Sequence, residues 1–397
     1  MAATNSETSC LVIKNDGLGD LVITSGIIAE LSKFFNGQLD LVTCEENRDI
    51  VELMDGIRQT FYVSRDGLRF WPYISRLGIY MPRIQGRDRL VLKKLKKKKY
   101  DVAIVLRRFI RQNTLIIMAA IKAREKYCTW QFPTNTTHQI ARRFSRSYIH
   151  LEGGLDQISE QLYYQKFLEK IIKVRINPAP RLKISVSSPD KPRKNKVGIC
   201  LGGHSVSWPA GYWIDFIKGI QSRGYEVVLF GGKGDTVISG MLSKNLPGVE
   251  DKTGQLSVKD SIEYLRKIQI LIGNDTGFSH LASLVVDKVL VILGGGTFKR
   301  YFPWNSGRNQ YVIYFGMSCF DCDWECRYSQ KLCVNMIRPD NLLEYFDDIS
   351  RENDHNRQRN LNSESCQYQV AWKRCPGENL YLDCQTLAVK KGKDSDE

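Results

Sequence analysis

The densest run of chemistry-bearing residues is Gly273-Asn274-Asp275-Thr276-Gly277-Phe278-Ser279-His280. Before it stands Ile268-Gln269-Ile270-Leu271-Ile272, short enough for a buried strand. After it, Leu281 to Val286 reads as the start of a helix. A strand that passes through Asp-Thr-Gly into a helix presents free backbone N–H groups at the carboxyl end of a sheet. Open α/β folds bind ligands at that edge, and phosphate is the group such a terminus attracts. The same residues also fit a plain cap, with Asp275 or Thr276 closing the helix and Gly277 easing the turn. His280 falls one helical turn beyond Thr276, where its ring either faces a ligand or packs internally.

A second stretch, Lys14-Asn15-Asp16-Gly17-Leu18-Gly19-Asp20, joins the apolar run Leu11-Val12-Ile13 to a helical pattern through Leu21, Ile23, Ile27, Ile28 and Leu31. It is not a dinucleotide fingerprint, because the third glycine that motif needs falls on Val22. Asp20 sits in the first turn, where a carboxylate either faces a ligand or complements the helix dipole. A third glycine-rich loop, Gly231-Gly232-Lys233-Gly234-Asp235, ends in an acid suited to ribose hydroxyls. Cys319, Cys322, Cys326 and Cys333 follow the spacing C-x2-C-x3-C-x6-C. Four soft thiolates so spaced suit a structural zinc or iron ion, expected to hold a segment with few apolar residues. Free thiols packed beside Phe320 and Trp324, or two disulfides, fit the same residues.

These stretches need a scaffold that brings strand ends together, and the chain alternates strands with helices. Strands are expected at 39–43, 59–63, 101–106, 196–201, 226–230 and 289–293, with helices between, including 50–54, 113–123, 157–173 and 341–350. That alternation implies doubly wound parallel sheets in an α/β fold. The four prolines between Ile176 and Pro192 mark a boundary between two domains. Residues from about 355 onward are polar and expected to be loosely ordered.

At 397 residues and 42% hydrophobic composition, the chain can bury two cores. No apolar run reaches the roughly 18 residues of a membrane span, and the first residues lack a signal-peptide pattern. A cytoplasmic location is therefore expected, with most of the cysteines reduced. Net charge is +15. From Arg83 to Arg111 twelve Lys/Arg stand against Asp88 and Asp101, and six of the lysines lie between Lys93 and Lys99. No nucleic-acid motif accompanies this run, so an anionic membrane surface is the expected partner and nucleic acid is not.

Taken together, Ile13 to Asp20, Trp208-Pro209 opening a helix, Phe230 to Asp235, and Gly273 to Ala282 resemble the ADP-heptose:lipopolysaccharide heptosyltransferases, glycosyltransferase family 9. The resemblance covers about residues 10–340. It implies a GT-B architecture, two Rossmann-like domains facing across a cleft. Residues 1–180 would form the acceptor side and 195–338, with the Cys-rich segment 319–333, the sugar-nucleotide side. A helix at 339–354 would return to the first domain, and 355–397 would be a tail.

The resemblance further implies an inverting transfer of a heptose or related sugar from a nucleotide diphosphate to a lipopolysaccharide core acceptor, at the inner face of the cytoplasmic membrane. Asp20 takes the position of the family's general base, with Asp16 the lesser candidate. Donor contacts are expected from Ser205, Ser207, Lys233, Asp235, Asp275, Thr276, Gly277, His280 and Lys299. Family members often carry a phosphate-holding lysine two residues before the Trp-Pro, where this chain has Val206. The serines on either side, or Lys233, Lys299 and Arg300, would substitute. No cofactor is expected for the chemistry, since backbone donors and cations replace a magnesium site. A metal-loaded cysteine cluster would favour relatives that glycosylate proteins, so a protein or other glycan acceptor is the alternative. A sugar-nucleotide-binding protein without transferase activity is a third reading.

Overall fold

The computed structural model describes residues 8–74, 79–129, 146–150, 159–184, 195–203, 207–304, 309–351, 380–383 and 388–391. Ser205 and Val206 lie outside these, as do most of the polar stretch 130–150 and Cys366, Cys375 and Cys384. The chain divides into two compact units, Met1–Ile184 and Ser185–Glu397.

In the first unit the order is β1 (Cys10–Ile13), α1 (Leu18–Phe34), β2 (Leu39–Cys44), α2 (Arg48–Glu52), β3 (Ile57–Val63), β4 (Leu68–Ile74), β5 (Ile79–Ile84), α3 (Gly86–Lys97), β6 (Tyr100–Val105), α4 (Gln112–Ala120), β7 (Ala123–Cys128), β8 (Ile149–His150) and α5 (Glu160–Ile172). Six parallel strands form a sheet in the order β3-β2-β1-β6-β7-β8, and β4 and β5 pair as a separate antiparallel hairpin. With the hairpin set aside, this is the doubly wound order 3-2-1-4-5-6, whose direction reverses between β1 and β6. Helix α1 is apolar nearly all round and accordingly buried. At Gly26 it is crossed by the 176–184 segment so closely that a Cβ would lie 1.7 Å from the Ala179 carbonyl oxygen. Helix α3 buries Asp88, Leu92 and Leu95 and exposes Arg89, Lys93, Lys94, Lys96 and Lys97.

The second unit repeats the plan with β9 (Lys196–Cys200), α6 (Ala210–Ser222), β10 (Glu226–Phe230), α7 (Thr236–Asn245), β11 (Glu250–Asp251), α8 (Val258–Leu265), β12 (Ile270–Asn274), α9 (Gly277–Ala282), β13 (Lys288–Ile292), β14 (Gln310–Ile313), α10 (Leu332–Asn335) and α11 (Pro339–Arg351). Its sheet order is β11-β10-β9-β12-β13-β14, all parallel. Successive strand residues enter opposite cores. Val197, Ile199, Ile270, Ile272, Leu290 and Ile292 face one side, and Cys200, Leu271, Val289 and Val291 the other. Cover on both faces explains why these strands read as continuous apolar runs. A hairpin of β15 (Leu380–Asp383) and β16 (Ala388–Lys391) follows in the polar tail.

Three features depart from the sequence expectations. The β4–β5 hairpin and strand β14 had not been foreseen. Residues 121–123 leave the helix, and Ala123 opens β7. Helix α11, which covers most of the helix expected at 339–354, packs its apolar face inside the second unit. Leu342, Tyr345, Phe346 and Ile349 join the core of α6, where Phe346 meets Phe216 edge to face and a Cβ on Gly219 would lie 2.6 Å from Leu343. Among the described residues no helix is long and apolar enough to cross a membrane.

Candidate active site

Each unit gathers its chemistry-bearing residues where strand order reverses, at the carboxyl ends of the two central strands. In the first unit these ends are Lys14 to Gly17 after β1 and Leu106 to Arg108 after β6. Asp16 receives Lys14 Nζ at 2.6 Å on one oxygen and Arg107 at 2.6 Å on the other. Burial pushes the Asp16 carboxyl up, but Arg107 and Lys14 outweigh it and hold it below the usual carboxylate range. A carboxylate paired on both oxygens is a poor base. Arg107 also donates to the Asn15 carbonyl at 3.0 Å, and Asn15 Oδ1 accepts from Thr114 Oγ1 at 3.0 Å. The Lys14 ammonium is buried and meets the Tyr164 hydroxyl at 3.3 Å, and that hydroxyl accepts Arg108 N–H at 2.9 Å.

Asp20 stands in the first turn of α1, partly exposed. A Cβ on Gly17 would lie 3.5 Å from Asp20 Oδ2 and 2.9 Å from the Arg65 guanidinium, so a side chain there would displace Arg65. The charge of Asp20 is felt by Lys14, Arg107 and Glu160 alike. Glu160, at the start of α5, is buried, and its Oε2 has no hydrogen-bond partner among the described residues. Burial raises its carboxyl above the ordinary range. Lys14 and Arg108 oppose the shift, and Asp20 and Asp16 add to it. Glu160, Arg107 and Lys14 escaped the sequence reading. Arg107-Arg108 directly after a clear strand was the available signal, whereas Glu160 looks like any acid at a helix start.

In the second unit the turn after β12 is held by its own side chains. Asn274 Nδ2 donates to the carbonyls of Leu201 and Gly202, at 3.2 and 3.0 Å, tying the end of β12 to that of β9. At Gly273 a Cβ would sit 2.6 Å from Cys200 Cβ and 2.7 Å from its carbonyl oxygen, so these strands approach only because the residue is glycine. Thr276 caps α9 by accepting Ser279 N–H at 3.3 Å. Gly277 is the first residue of that helix. Asp235 and Thr276 flank Gly202, 3.3 and 3.5 Å from the place its Cβ would take, which brings these two expected donor residues to one edge. Asp235 Oδ2 already accepts Gly232 N–H at 2.8 Å. Lys233 and Ser207 are exposed, and Ser205 lies outside the described residues.

His280 is buried, and both ring nitrogens face protein. Trp304 Nε1 donates to Nδ1 at 3.0 Å, and Nε2 stands 3.4 Å from Asp275 Oδ1. Trp208 is also fully buried, its indole N–H donating to the Ile337 carbonyl at 2.7 Å, so the Trp-Pro element anchors the core. Lys299 has a left-handed backbone, φ 59°, and burial lowers its pKa, against the pull of Asp321.

The expected metal centre does not fit these residues. Among the described residues no group of three or more His, Cys, Asp or Glu side chains is arranged to hold a metal. Burial pushes the Cys333 thiol up, and the nearby Cys319, Cys322 and Cys326 add to the effect. The segment is fixed by packing and backbone bonds instead. Cβ atoms on Gly294, Gly295 and Gly296 would lie 2.5, 2.4 and 2.3 Å from the rings of Trp324, Phe320 and Trp324. Asp321 and Asp323 donate their N–H groups to the carbonyls of Gly295 and Gly296, at 2.8 and 2.9 Å.

Residues 89–323 match the family model described as glycosyltransferase family 9 (heptosyltransferase). Lipooligosaccharide heptosyltransferase 2 of Haemophilus ducreyi is 21% identical over 321 residues, 74% of this chain and 85% of the relative. Among solved structures, a glycosyl transferase family 9 protein from Veillonella parvula aligns with a TM-score of 0.67 at 17% identity, over 87% of this chain and 98% of its own. The Escherichia coli heptosyltransferase WaaC with ADP aligns with a TM-score of 0.62 at 15% identity, over 86% of this chain and 100% of its own.

Proposed function

The chain belongs to glycosyltransferase family 9, the heptosyltransferase family, and from that premise we propose that this glycosyltransferase moves a heptose, with inversion, from a nucleotide-diphosphate donor to a lipopolysaccharide core acceptor. The observation that carries the reading is the place of Asp20, part-exposed in the first turn of α1, with its charge reaching Lys14, Arg107 and Glu160. Its neighbour in sequence, Asp16, is neutralised by Lys14 and Arg107. Asp20 takes the proton of the acceptor hydroxyl as the oxygen attacks the anomeric carbon from the face opposite the diphosphate. The bond from that carbon to the diphosphate oxygen breaks, and the nucleotide leaves with the electron pair.

In the second unit the first N–H groups of a helix have no partner within it. Those after Thr276 receive the diphosphate, with Lys233, Lys299, Ser205 and Ser207 in place of the lysine absent at Val206. Asp235 suits the ribose hydroxyls. No divalent ion enters this scheme.

The acceptor brings the enzyme to a membrane, and the exposed basic face of α3 supports docking at the inner face of the cytoplasmic membrane. Each Lys/Arg held near an anionic surface contributes about 1 kcal/mol. The protein-acceptor alternative leaned on a metal-loaded cysteine cluster and loses that support.

The test is direct. ADP-heptose and a heptose-deficient lipopolysaccharide core are incubated with the protein, and a mass increase of one heptose is sought on the acceptor. Absence of product, with other sugar nucleotides transferred instead, would overturn the donor assignment. Docking is read by co-sedimentation with vesicles containing anionic lipid. Binding that resists raised salt, or that survives Lys93, Lys94, Lys96 and Lys97 all changed to Gln, would overturn it.

A further inference from the structure

Trp304 belongs to none of the expected motifs, yet it governs a residue of the strongest one. An indole N–H can only donate. The ring nitrogen of His280 that faces it at 3.0 Å must therefore offer a lone pair. A neutral imidazole with that nitrogen bare carries its proton on the other, here Nε2, which points at Asp275 Oδ1 across 3.4 Å.

The ring cannot turn away. It lies on Phe302 with centroids 4.0 Å apart and planes at 5°, and Trp304 extends the stack at 5.8 Å and 11°. All three side chains are buried. Trp304 is itself pinned to the edge strand of the sheet, its backbone N–H donating to Gln310 Oε1 at 2.7 Å. A line of contacts thus runs from β14 through Trp304 and His280 to the turn after β12.

We propose that Trp304 and His280 are positioning residues: Trp304 fixes the Nε2–H tautomer of His280, and His280 orients Asp275 so that its remaining oxygen accepts a hydroxyl of the donor's sugar. Asp275 precedes the turn assigned to the diphosphate. A carboxylate there repels phosphate but accepts from a hydroxyl, so the sugar is the part of the donor it suits. The 3.4 Å contact is long for a hydrogen bond, as such contacts often are before a ligand tightens them. The inference rests on the donor-binding reading of the second unit.

Trp304→Phe keeps an aromatic ring in the stack but removes the N–H together with part of the buried indole, so its melting temperature is measured alongside. In the wild type, nitrogen NMR of histidine-labelled protein should show the neutral Nε2–H tautomer for His280, and in Trp304→Phe a mixture of tautomers. Affinity for ADP-heptose should fall by about five- to thirty-fold, the scale of one lost positioning hydrogen bond, while affinity for ADP stays within two-fold. In transfer assays the loss should appear in the donor KM more than in kcat. His280→Gln, whose amide can donate to Asp275 and accept from Trp304, should retain more ADP-heptose affinity than His280→Ala.

An Nδ1–H tautomer in the wild type would overturn the proposal. So would equal losses for ADP and ADP-heptose accompanied by a lower melting temperature, which is the signature of packing alone. If the wild type bound neither ligand, the donor assignment would fall, and with it the assigned hydroxyl contact. The tautomer measurement would still decide the link from Trp304 to His280.

Discussion

The two units share one strand order and place their candidate residues at the same reversal, yet they populate it with different chemistry. In the first unit the reversal holds a buried network of charge: Lys14, Asp16, Arg107 and Glu160 around Asp20. In the second it rests on an Asn274 side chain on two carbonyls, a Thr276 cap and glycines that allow close approach, with the acids Asp235 and Asp275 at the same edge. On the proposed function, the first arrangement serves to move a proton and the second to hold phosphates and hydroxyls. The difference lies in the first few residues after each central strand.

The sharpest way to break this comparison is Asp20→Asn. Loss of a general base costs about 10²–10⁴ in rate. We expect kcat to fall by that much, with ADP-heptose binding, read by calorimetry, nearly unchanged. A loss of only a few-fold would make Asp20 a helix-dipole residue and leave the first unit without a base.

Next in size is Arg107→Met, which removes one of the two ion-pair partners of the nearly buried Asp16. Removing one partner of a buried ion pair costs about 3–5 kcal/mol, and the lower end is expected here because Lys14 remains. Urea denaturation measures it. The second unit should instead fail through volume. Gly273→Ala puts a methyl 2.7 Å from the Cys200 carbonyl oxygen, and overpacking of this kind costs about 1–3 kcal/mol. A Gly273→Ala protein as stable as wild type would show that β9 and β12 can part without penalty.

The smallest effect is a dependence on pH. Glu160 has a folded pKa raised above its unfolded value, so the folded state binds the extra proton. Its contribution to stability is therefore lost as pH rises from about 4.3 through the raised value. Glu160→Gln has no proton to lose. Relative to wild type, the variant should gain melting temperature as pH rises above about 4.3, by about 2–4 °C for each kcal/mol involved. A gap that does not change with pH would mean Glu160 ionises normally.

Much of the fold was legible because fully buried parallel strands write themselves as apolar runs ending in glycine, as at 196–203, 226–232 and 289–296. The β4–β5 hairpin was not, since Pro72 and Pro82 argue against strands. The end of α4 was misplaced because Ile121 and Ala123 continue its apolar pattern with no breaker between them. At the candidate sites the turns themselves were readable, but their supports were not. Glu160 and Trp304 matter through partners distant in sequence, and no local pattern marks either. The cysteine spacing suggested a metal centre, which the structure does not support, and the packing of Phe320 and Trp324 on three glycines was visible only in three dimensions.

That packing makes two stretches of the chain heritable only as a pair. Gly294, Gly295 and Gly296 are the imprint of two aromatic rings, and any side chain there would evict Phe320 or Trp324. A relative that lacks the cysteine segment is free to fill those three positions, and one that keeps it is not. Anyone who transplants residues 319–333 into another scaffold must move the three glycines with them. A library that randomises the glycines alone should return only glycine wherever the segment is retained.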